Sequence, residues 1–457
     1  MIDINLIREN PDKVKEVIKK RGNPEWADID KWLKIDKERG ILLQTLESLN
    51  KKRNDAGKLG KEGKVEEARK LTEGLKKEIK DAEDALNNIT VEWQQILDWI
   101  PNIPVEGAMP DGAGDHENII LKAWIPKKGY IKEAEGKKSR GFTEKLMPEH
   151  SIHADGKDFK LKSHEELGKT LGIIDKDQGA AVSGSRFTYL LGDAVLLQYS
   201  LQRLFTDELL KRGFTPIIPP LLVKDRALYG TSHFPEGKDQ VYAIKDENVE
   251  ENQQLYLVGS TEPSNFAYFI NKTLSKDDLP IKLFAYAPAF RSEAGSWGKD
   301  TKGIKRMHQF DKLEMNCVCK PEQSNDIFEE FLGINEWLLQ SLELPYQLAL
   351  KCTGDAGYHA SAKQVDPEVW LPSQQEFMET MTDTNTTDFQ ARRSNIKYKD
   401  ENGKKLFVHT VNDTGVAMGR MIIAILDNYQ QPDGTIKVPE ALRAFMGKDT
   451  INANKKY

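Results

Sequence analysis

The sequence predicts an α+β chain, with an antiparallel β-sheet domain preceded by two long helices folded back as an antiparallel coiled coil. Three observations carry this. Two runs of apolar residues, spaced alternately three and four apart, fill residues 32–100 and are separated by a glycine-rich break. After residue 213, short β-rich runs follow one another with helices set apart from them, the order of an antiparallel sheet. The length of 457 residues suits two or three domains.

The first helix is read from Trp32, Ile35, Arg39, Leu42, Leu46, Leu49, Arg53 and Ala56, a heptad seam. A second seam runs through Ala68, Leu71, Leu75, Ile79, Ala82, Leu86, Ile89, Trp93, Ile96 and Ile100. GKLGKEGK lies between them, and its glycines at 57, 60 and 63 are expected to break both helices. Pro101 and Pro104 end the second. The continuous heptads predict a protruding arm over residues 1–105. Residues 51–80 carry eleven Lys/Arg against six Asp/Glu, a cationic tip suited to phosphate.

Residues 106–165 are rich in Gly, Lys and Asp, weakly periodic, and read as a linker or insert. From 166 to 457 the pattern is that of a single domain. GDAVLLQYSLQRLFTDELLKRG reads as a helix with Leu196, Leu197, Leu201, Leu204, Phe205 and Leu209 on one face and Gly213 as its stop. FTPIIPPLLV reads as a strand confined to an edge or interface by Pro219 and Pro220. Further strands are expected at QLYLVGS, IKLFAYAPAF, KLEMNCVC, YQLALKC and KLFVHTV, with turn-like connections until the helix VAMGRMIIAILDNY.

The formal net charge is −6, so a polyanion must be met by local patches. Three cysteines with no paired C-x-x-C argue against zinc or a disulfide framework and fit a reducing compartment. The charged N-terminus has no signal-peptide core, and no run is long enough to span a membrane. The expectation is a cytoplasmic chain.

One stretch stands against the acidic background. AFRSEAGSWGKDTKGIKRMHQFDKLEM, residues 289–315, holds Arg291, Lys299, Lys302, Lys305 and Arg306 on an over-long connection between two strands. Such connections are commonly functional, and arginine offers phosphate a bidentate fork. Phe310 can stack on a base. No P-loop and no G-x-G-x-x-G pattern appears, so a nucleotide would be held by arginines on a sheet. Arg420 supports this, placed early on a helix after Gly415, which is read as ending a strand. Glu262, Glu314 and Glu379, read at strand ends or edges, complete what Mg-ATP and an amino acid require.

These residues resemble motif 2 of a class II aminoacyl-tRNA synthetase, and more closely its form in the seryl-tRNA synthetase family. VSGSRF (182–187), GFTPIIPPLLV as motif 1, CTGD (352–355), EVWLPSQ (368–374), DFQARR (388–393) and GVAMGRMIIAILDNYQ as motif 3 match as well. So do RENPDKV (8–14), KKRNDAGKLG (51–60) and IPNIP (100–104), so that the likeness covers nearly the whole chain.

The resemblance implies formation of seryl-adenylate from serine and ATP, then transfer of the seryl group to the 3′ end of tRNA-Ser. It implies a class II antiparallel catalytic domain, Mg²⁺ with the ATP, and a homodimer through motif 1. Arg291 would hold the α-phosphate and serine carboxylate, Arg420 the γ-phosphate, and Phe310 the adenine. Ser292 and Glu293 would lie around the nucleotide, as would Glu379, Thr380, Met381 and Thr382. Glu379 and Thr382 would ligate Mg²⁺. Ser260, Thr261, Glu262, Glu314 and Thr414 would form the serine pocket. The family usually reads Thr-Ala-Glu, Glu-Ile-Ser-Ser and Asn-Gly-Ser where this chain has Ser260–Glu262, Glu379–Thr382 and Asn412–Thr414. Such departures raise one alternative, a paralogue activating another small amino acid. A second, a non-catalytic RNA-binding paralogue, would be expected to lose arginines or Mg ligands, and Arg291, Arg420, Glu314 and Glu379 are all present.

Overall fold

The computed structural model describes residues 1–22, 25–137, 140–156, 159–245, 253–294, 303–357 and 359–453. It divides into two compact units, Met1–Ile103 and Pro104–Tyr457.

In the first unit, α1 (Ile4–Glu9) and α2 (Pro11–Lys20) precede α3 (Ile29–Lys61) and α4 (Val65–Asp98). The long pair runs antiparallel: Trp32 packs on Trp93 with ring centroids 5.4 Å apart, Lys31 meets Glu92 at 2.8 Å, and Arg39 reaches Thr90 at 3.2 Å. Trp32, Ile35, Leu49 and Ala56 are buried on one side of the seam, and Ala68, Ile79, Trp93 and Ile96 on the other, whereas Leu71 is exposed. Arg8 forks onto Asp36 at 2.8 and 2.9 Å, tying α1 to α3. The expected break is smaller than the glycines suggested. Helix α3 runs through Gly57 and Gly60 to Lys61, and of the three glycines only Gly63, at φ 92°, takes a left-handed conformation in the turn. A helical glycine costs about 1 kcal/mol, too little to end a helix whose seam is still burying Ala56.

The second unit is built on a ten-stranded sheet among the described residues. Its strands are β1 (Ile119–Ile125), β2 (Gly129–Tyr130), β3 (Thr215–Pro216), β6 (Ile281–Phe290), β7 (Gln309–Cys319), β8 (Tyr346–Leu350), β9 (Lys363–Leu371), β10 (Glu376–Glu379), β11 (Asp383–Asn385) and β12 (His409–Ala417). The order is β2-β1-β8-β9-β11-β12-β7-β6-β3, with β10 paired to β9. All pairs are antiparallel except β3 with β6. A separate hairpin joins β4 (Leu222–Lys224) and β5 (Leu255–Leu257). Helices α5 (His164–Leu171), α6 (Asp193–Lys211), α7 (Glu262–Ala267), α8 (Ser324–Ser341), α9 (Phe389–Ser394) and α10 (Met418–Tyr429) surround it. The main core joins Leu201, Phe205, Phe328, Leu338, Ile422 and Leu426 to Leu313, Met315 and Val365 of the sheet.

Several sequence expectations change. The motif 1 strand is broken: Pro219 and Pro220 separate β3 from β4 instead of sitting within one strand. Leu196, assigned to the buried face of α6, is exposed. Residues 106–165 supply β1, paired with β8, and the register shift between Ile120 and Lys122 explains the weak alternation. The connections are not all turns, because α8 fills 18 residues. It is buried on so many sides that no clean amphipathic stripe marks it. Glu262 opens α7 and does not end a strand.

Gly415 does not end its strand either. β12 continues to Ala417, and Glu314 pairs with Thr414 while Leu313 pairs with Val416, which leaves Gly415 as the bulged residue. A Cβ there would stand 2.4 Å from Phe205 Cε1. Gly415→Val is expected to lower stability by about 1–3 kcal/mol through overpacking, measured as a shift in the urea midpoint of the second unit's transition.

Candidate active site

The bulge matters because it turns Thr414 to the same face as Glu314. A cavity of about 380 Å³ opens there, lined among others by Ser260, Glu262, Arg291, Glu293, Phe310, Glu379, Thr380, Thr382, Thr414 and Arg420. Strands β7, β9, β11 and β12 line it, together with the end of β10, the start of α10 and the start of α7. Arg291 leaves the end of β6, its guanidinium 5.4 Å from the Phe310 ring centroid, and its Nε donates to the Gly259 carbonyl at 3.2 Å. Arg420 donates to the Glu379 carboxylate at 2.8 Å and to its carbonyl at 3.0 Å. Thr382 lies 3.4 Å from the same carboxylate. Burial works to raise the Glu379 carboxyl, but Arg420, Lys351 and Arg291 outweigh it and hold the group below the ordinary carboxylate range.

Not every expected residue reaches the cavity. Thr261 is buried against Asn265, Ser292 donates to the Asp239 carbonyl at 2.5 Å, and Met381 packs in the hydrophobic core. None of these three lines the wall. Glu314 lies behind it, wholly buried, with Oε1 accepting from Ser260 at 2.7 Å and paired with Lys312. Its Oε2 has no hydrogen-bond partner among the described residues. Asp413, beside Thr414, points the other way: strand alternation turns it to α8, where Asn335 donates to it at 2.6 Å. Burial first, then Glu314 and Asp366, push its carboxyl well above the ordinary value. The carboxylate that departs from the family pattern therefore does not line the cavity. Lys299 and Lys302 lie outside the described residues, whereas Lys305 and Arg306 line the cavity.

Sequence reading missed three polar residues on this wall. Lys312 is buried, 3.4 Å from Thr414, and burial lowers its ammonium pKa despite Glu314. Its place two residues before Glu314 on a strand already marked it as sharing that face. Gln390 of α9 donates to Glu262 at 2.7 Å, and DFQARR was noted without a role for it. Lys351 pairs with Asp355 and, at 3.2 Å, with Asp366. Asp355 is only four residues from Lys351, but nothing local in the sequence brings Asp366 to them.

Sheet, arginines and buried carboxylates together define a class II aminoacyl-tRNA synthetase, a ligase. The comparisons agree. Residues 242–429 match the model of the tRNA synthetase class II core domain (G, H, P, S and T), and residues 1–104 match the seryl-tRNA synthetase N-terminal domain. A serine–tRNA ligase of Petrotoga mobilis is 38% identical, covering 99% of this chain and 100% of its own. One from Pyrococcus abyssi is also 38% identical, covering 100% and 99%. The crystal structure of seryl-tRNA synthetase from Pyrococcus horikoshii complexed with ATP superposes with a TM-score of 0.85 at 35% identity over the full length of both chains. The chain belongs to the seryl-tRNA synthetase family.

The pocket makes a pH prediction. Glu262 is buried, and burial raises its carboxyl pKa to about 7, with Glu314 adding and Gln390 opposing. The folded protein thus keeps a proton that the unfolded chain releases near the ordinary value of 4.5. Stability from this group is full below that value and is lost as pH rises to about 7. Glu262→Gln is expected to flatten that slope in chemical denaturation measured across the window.

Proposed function

We propose that this cavity forms seryl-adenylate from serine and ATP and then delivers the seryl group to the 3′ end of tRNA-Ser, so that the chain is a serine–tRNA ligase. The carrying observation is Arg291 and Arg420 lining one cavity whose floor holds the Ser260–Glu314–Lys312 set. In the first step a serine carboxylate oxygen attacks the α-phosphorus, and the bond to the bridging oxygen breaks as pyrophosphate leaves. Anion approaches anion, so positioned cations are what the step needs most. Arg291 holds the α-phosphate and the carboxylate, Arg420 takes the γ-phosphate, and adenine stacks on Phe310 beside Glu293.

Glu379 and Thr382 are hard oxygen donors side by side, the kind Mg²⁺ prefers. Mg²⁺ usually takes one or two protein carboxylates and completes its shell with substrate phosphates and water. When bound, Mg²⁺ neutralises phosphate charge. Arg420 pairs with Glu379 and lines the same cavity, within reach of a bound nucleotide. Thr380, buried in the wall, fixes the turn between the two donors: its hydroxyl and its N–H donate to the Pro367 carbonyl at 3.2 and 3.0 Å.

The serine hydroxyl meets Glu314, for which it competes with Ser260, while Thr414 bounds the pocket. Glu262, at the cavity edge, suits the serine ammonium. In the second step a ribose hydroxyl at the tRNA 3′ end attacks the seryl carbonyl carbon and AMP leaves. The cationic 51–80 stretch contacts the tRNA, in this family its long variable arm. The chain works in the cytoplasm as a homodimer. Leu196, Tyr199, Ile218 and Leu222, all exposed around motif 1, are apolar surface of the kind a second copy covers. Among the described residues no helix is long and apolar enough to cross a membrane.

Arg291→Ala and Arg420→Ala are each expected to lower serine-dependent ATP–pyrophosphate exchange by at least about 10²-fold; wild-type rates in both would overturn the ATP site. Deleting residues 45–80 is expected to spare exchange and abolish tRNA charging, and wild-type charging should weaken as salt rises. A folded deletion that loses exchange would contradict the division of labour.

A further inference from the structure

The short segment Gly303–Met307 carries Lys305 and Arg306 into the cavity, and it is clasped between the first turns of two helices. Ile304 is buried in the core. Its N–H donates to Nε2 of His164, the first residue of α5, at 3.3 Å. Gly303 is left-handed at φ 64°, and a Cβ on it would stand 1.6 Å from that same nitrogen. On the other side, a Cβ on Gly419 of α10 would stand 3.2 Å from the Ile304 carbonyl. The next carbonyl, Lys305 O, accepts from Nε of Arg420 at 3.4 Å. The segment is thus bonded to α5 through its N–H and to the phosphate-binding arginine of α10 through its C=O. Arg306 then donates to Glu293 at 3.1 Å, and Lys305 approaches Glu376 at 3.4 Å.

We propose that His164 is a positioning residue of the nucleotide site: as a neutral acceptor for Ile304 N–H, it fixes where Lys305, Arg306 and Arg420 stand toward ATP. It touches no substrate and acts through the 303–306 backbone. An acceptor at Nε2 requires the neutral ring with its proton on Nδ1, which has no hydrogen-bond partner among the described residues. Burial keeps the ring neutral by lowering its pKa to about 4, with Lys176 and Lys305 acting in the same direction and Glu165 opposing. Helix α5 is itself well fixed, since Ser163 and Glu166 form a capping box and Glu165 pairs with Lys176 at 2.7 Å. The anchor is therefore rigid and the acceptor is permanent at working pH.

The proposal deepens the reading of the cavity as an ATP site and depends on it. ATP–pyrophosphate exchange on the full chain separates the two, because intact exchange in Arg420→Ala overturns the site, whereas the proposal turns on His164. His164→Leu is expected to raise KM for ATP about tenfold, the order of one lost hydrogen bond, with KM for serine within about twofold of wild type. His164→Gln, which keeps an acceptor, should recover most of that loss. Gly303→Ala, which displaces the segment from the other side of the same contact, should reproduce the ATP-selective defect. Melting curves identify any variant that is not folded. A folded His164→Leu with unchanged KM for ATP would overturn the proposal, as would equal losses toward ATP and serine or no recovery in His164→Gln.

Discussion

The site depends on a pair of opposite charges buried in the middle of the sheet. Lys312 and Glu314 stand two residues apart on β7, both out of water, and Ser260 donates to the same carboxylate oxygen that Lys312 meets. Either charge alone would be very costly in that position, and removing one partner from such a pair typically costs about 3–5 kcal/mol. Together they set the polarity of the floor on which an amino acid can sit. The same strand continues outward to Phe310, and Arg291 follows directly on the end of its neighbour β6, so the residues proposed for the amino acid and for the nucleotide share one rigid hairpin. Positions fixed on paired strands hold their spacing better than positions on loops, which the in-line attack of one anion on another demands.

Around that pair the carboxyls divide by burial and by neighbours. Glu379 meets Arg420 and stays below its usual range, whereas Asp366, deeper, is raised to about 7 by burial and by Glu379. Asp383 and Asp413 pair across β11 and β12 on the opposite face and are both pushed well above their usual values. Glu379, Glu262 and Asp366 line the cavity on one face of the sheet. Asp383 and Asp413 lie on the other, where burial raises both. The alternation of a β-strand is what separates the two sets, and the glycine bulge at 415 puts Thr414 on the first.

Much of this was legible in the residues. Heptads gave the long helix pair, because a seam repeats at a period that nothing else imitates over so many turns. Strands β6 and β7, with the cationic connection, were readable because their charge conflicts with the chain's acidic balance, and Arg291, Phe310 and Arg420 could be singled out. The missing parts have physical causes. Helix α8 is buried on too many sides to show a stripe, and β1 carries a register shift that blurs its alternation. Glycines 57 and 60 looked like helix breakers because propensity is local, while the seam contacts that override it come from the partner helix. The retreat of Met381, Thr261 and Ser292 from the cavity depends on which way each side chain turns at a strand or helix end. Lys351 and Asp366 meet only through the pairing of β8 with β9, which no local pattern encodes.

Serine preference is the central claim, because the departures from the family pattern cluster around the amino-acid pocket. Thr414 is bulkier than the usual serine and Ser260 smaller than the usual threonine, so the two changes offset in volume while both hydroxyls are kept. A site built to bond a hydroxyl leaves buried groups unpaired when an analogue lacks one, and such sites discriminate by up to about 10⁴–10⁵. The most direct measurement is ATP–pyrophosphate exchange with serine, threonine, alanine and glycine at matched concentrations. The account predicts the highest kcat/KM for serine, with alanine and glycine lower by several orders of magnitude and threonine the nearest competitor. A higher kcat/KM for any of the other three would contradict it.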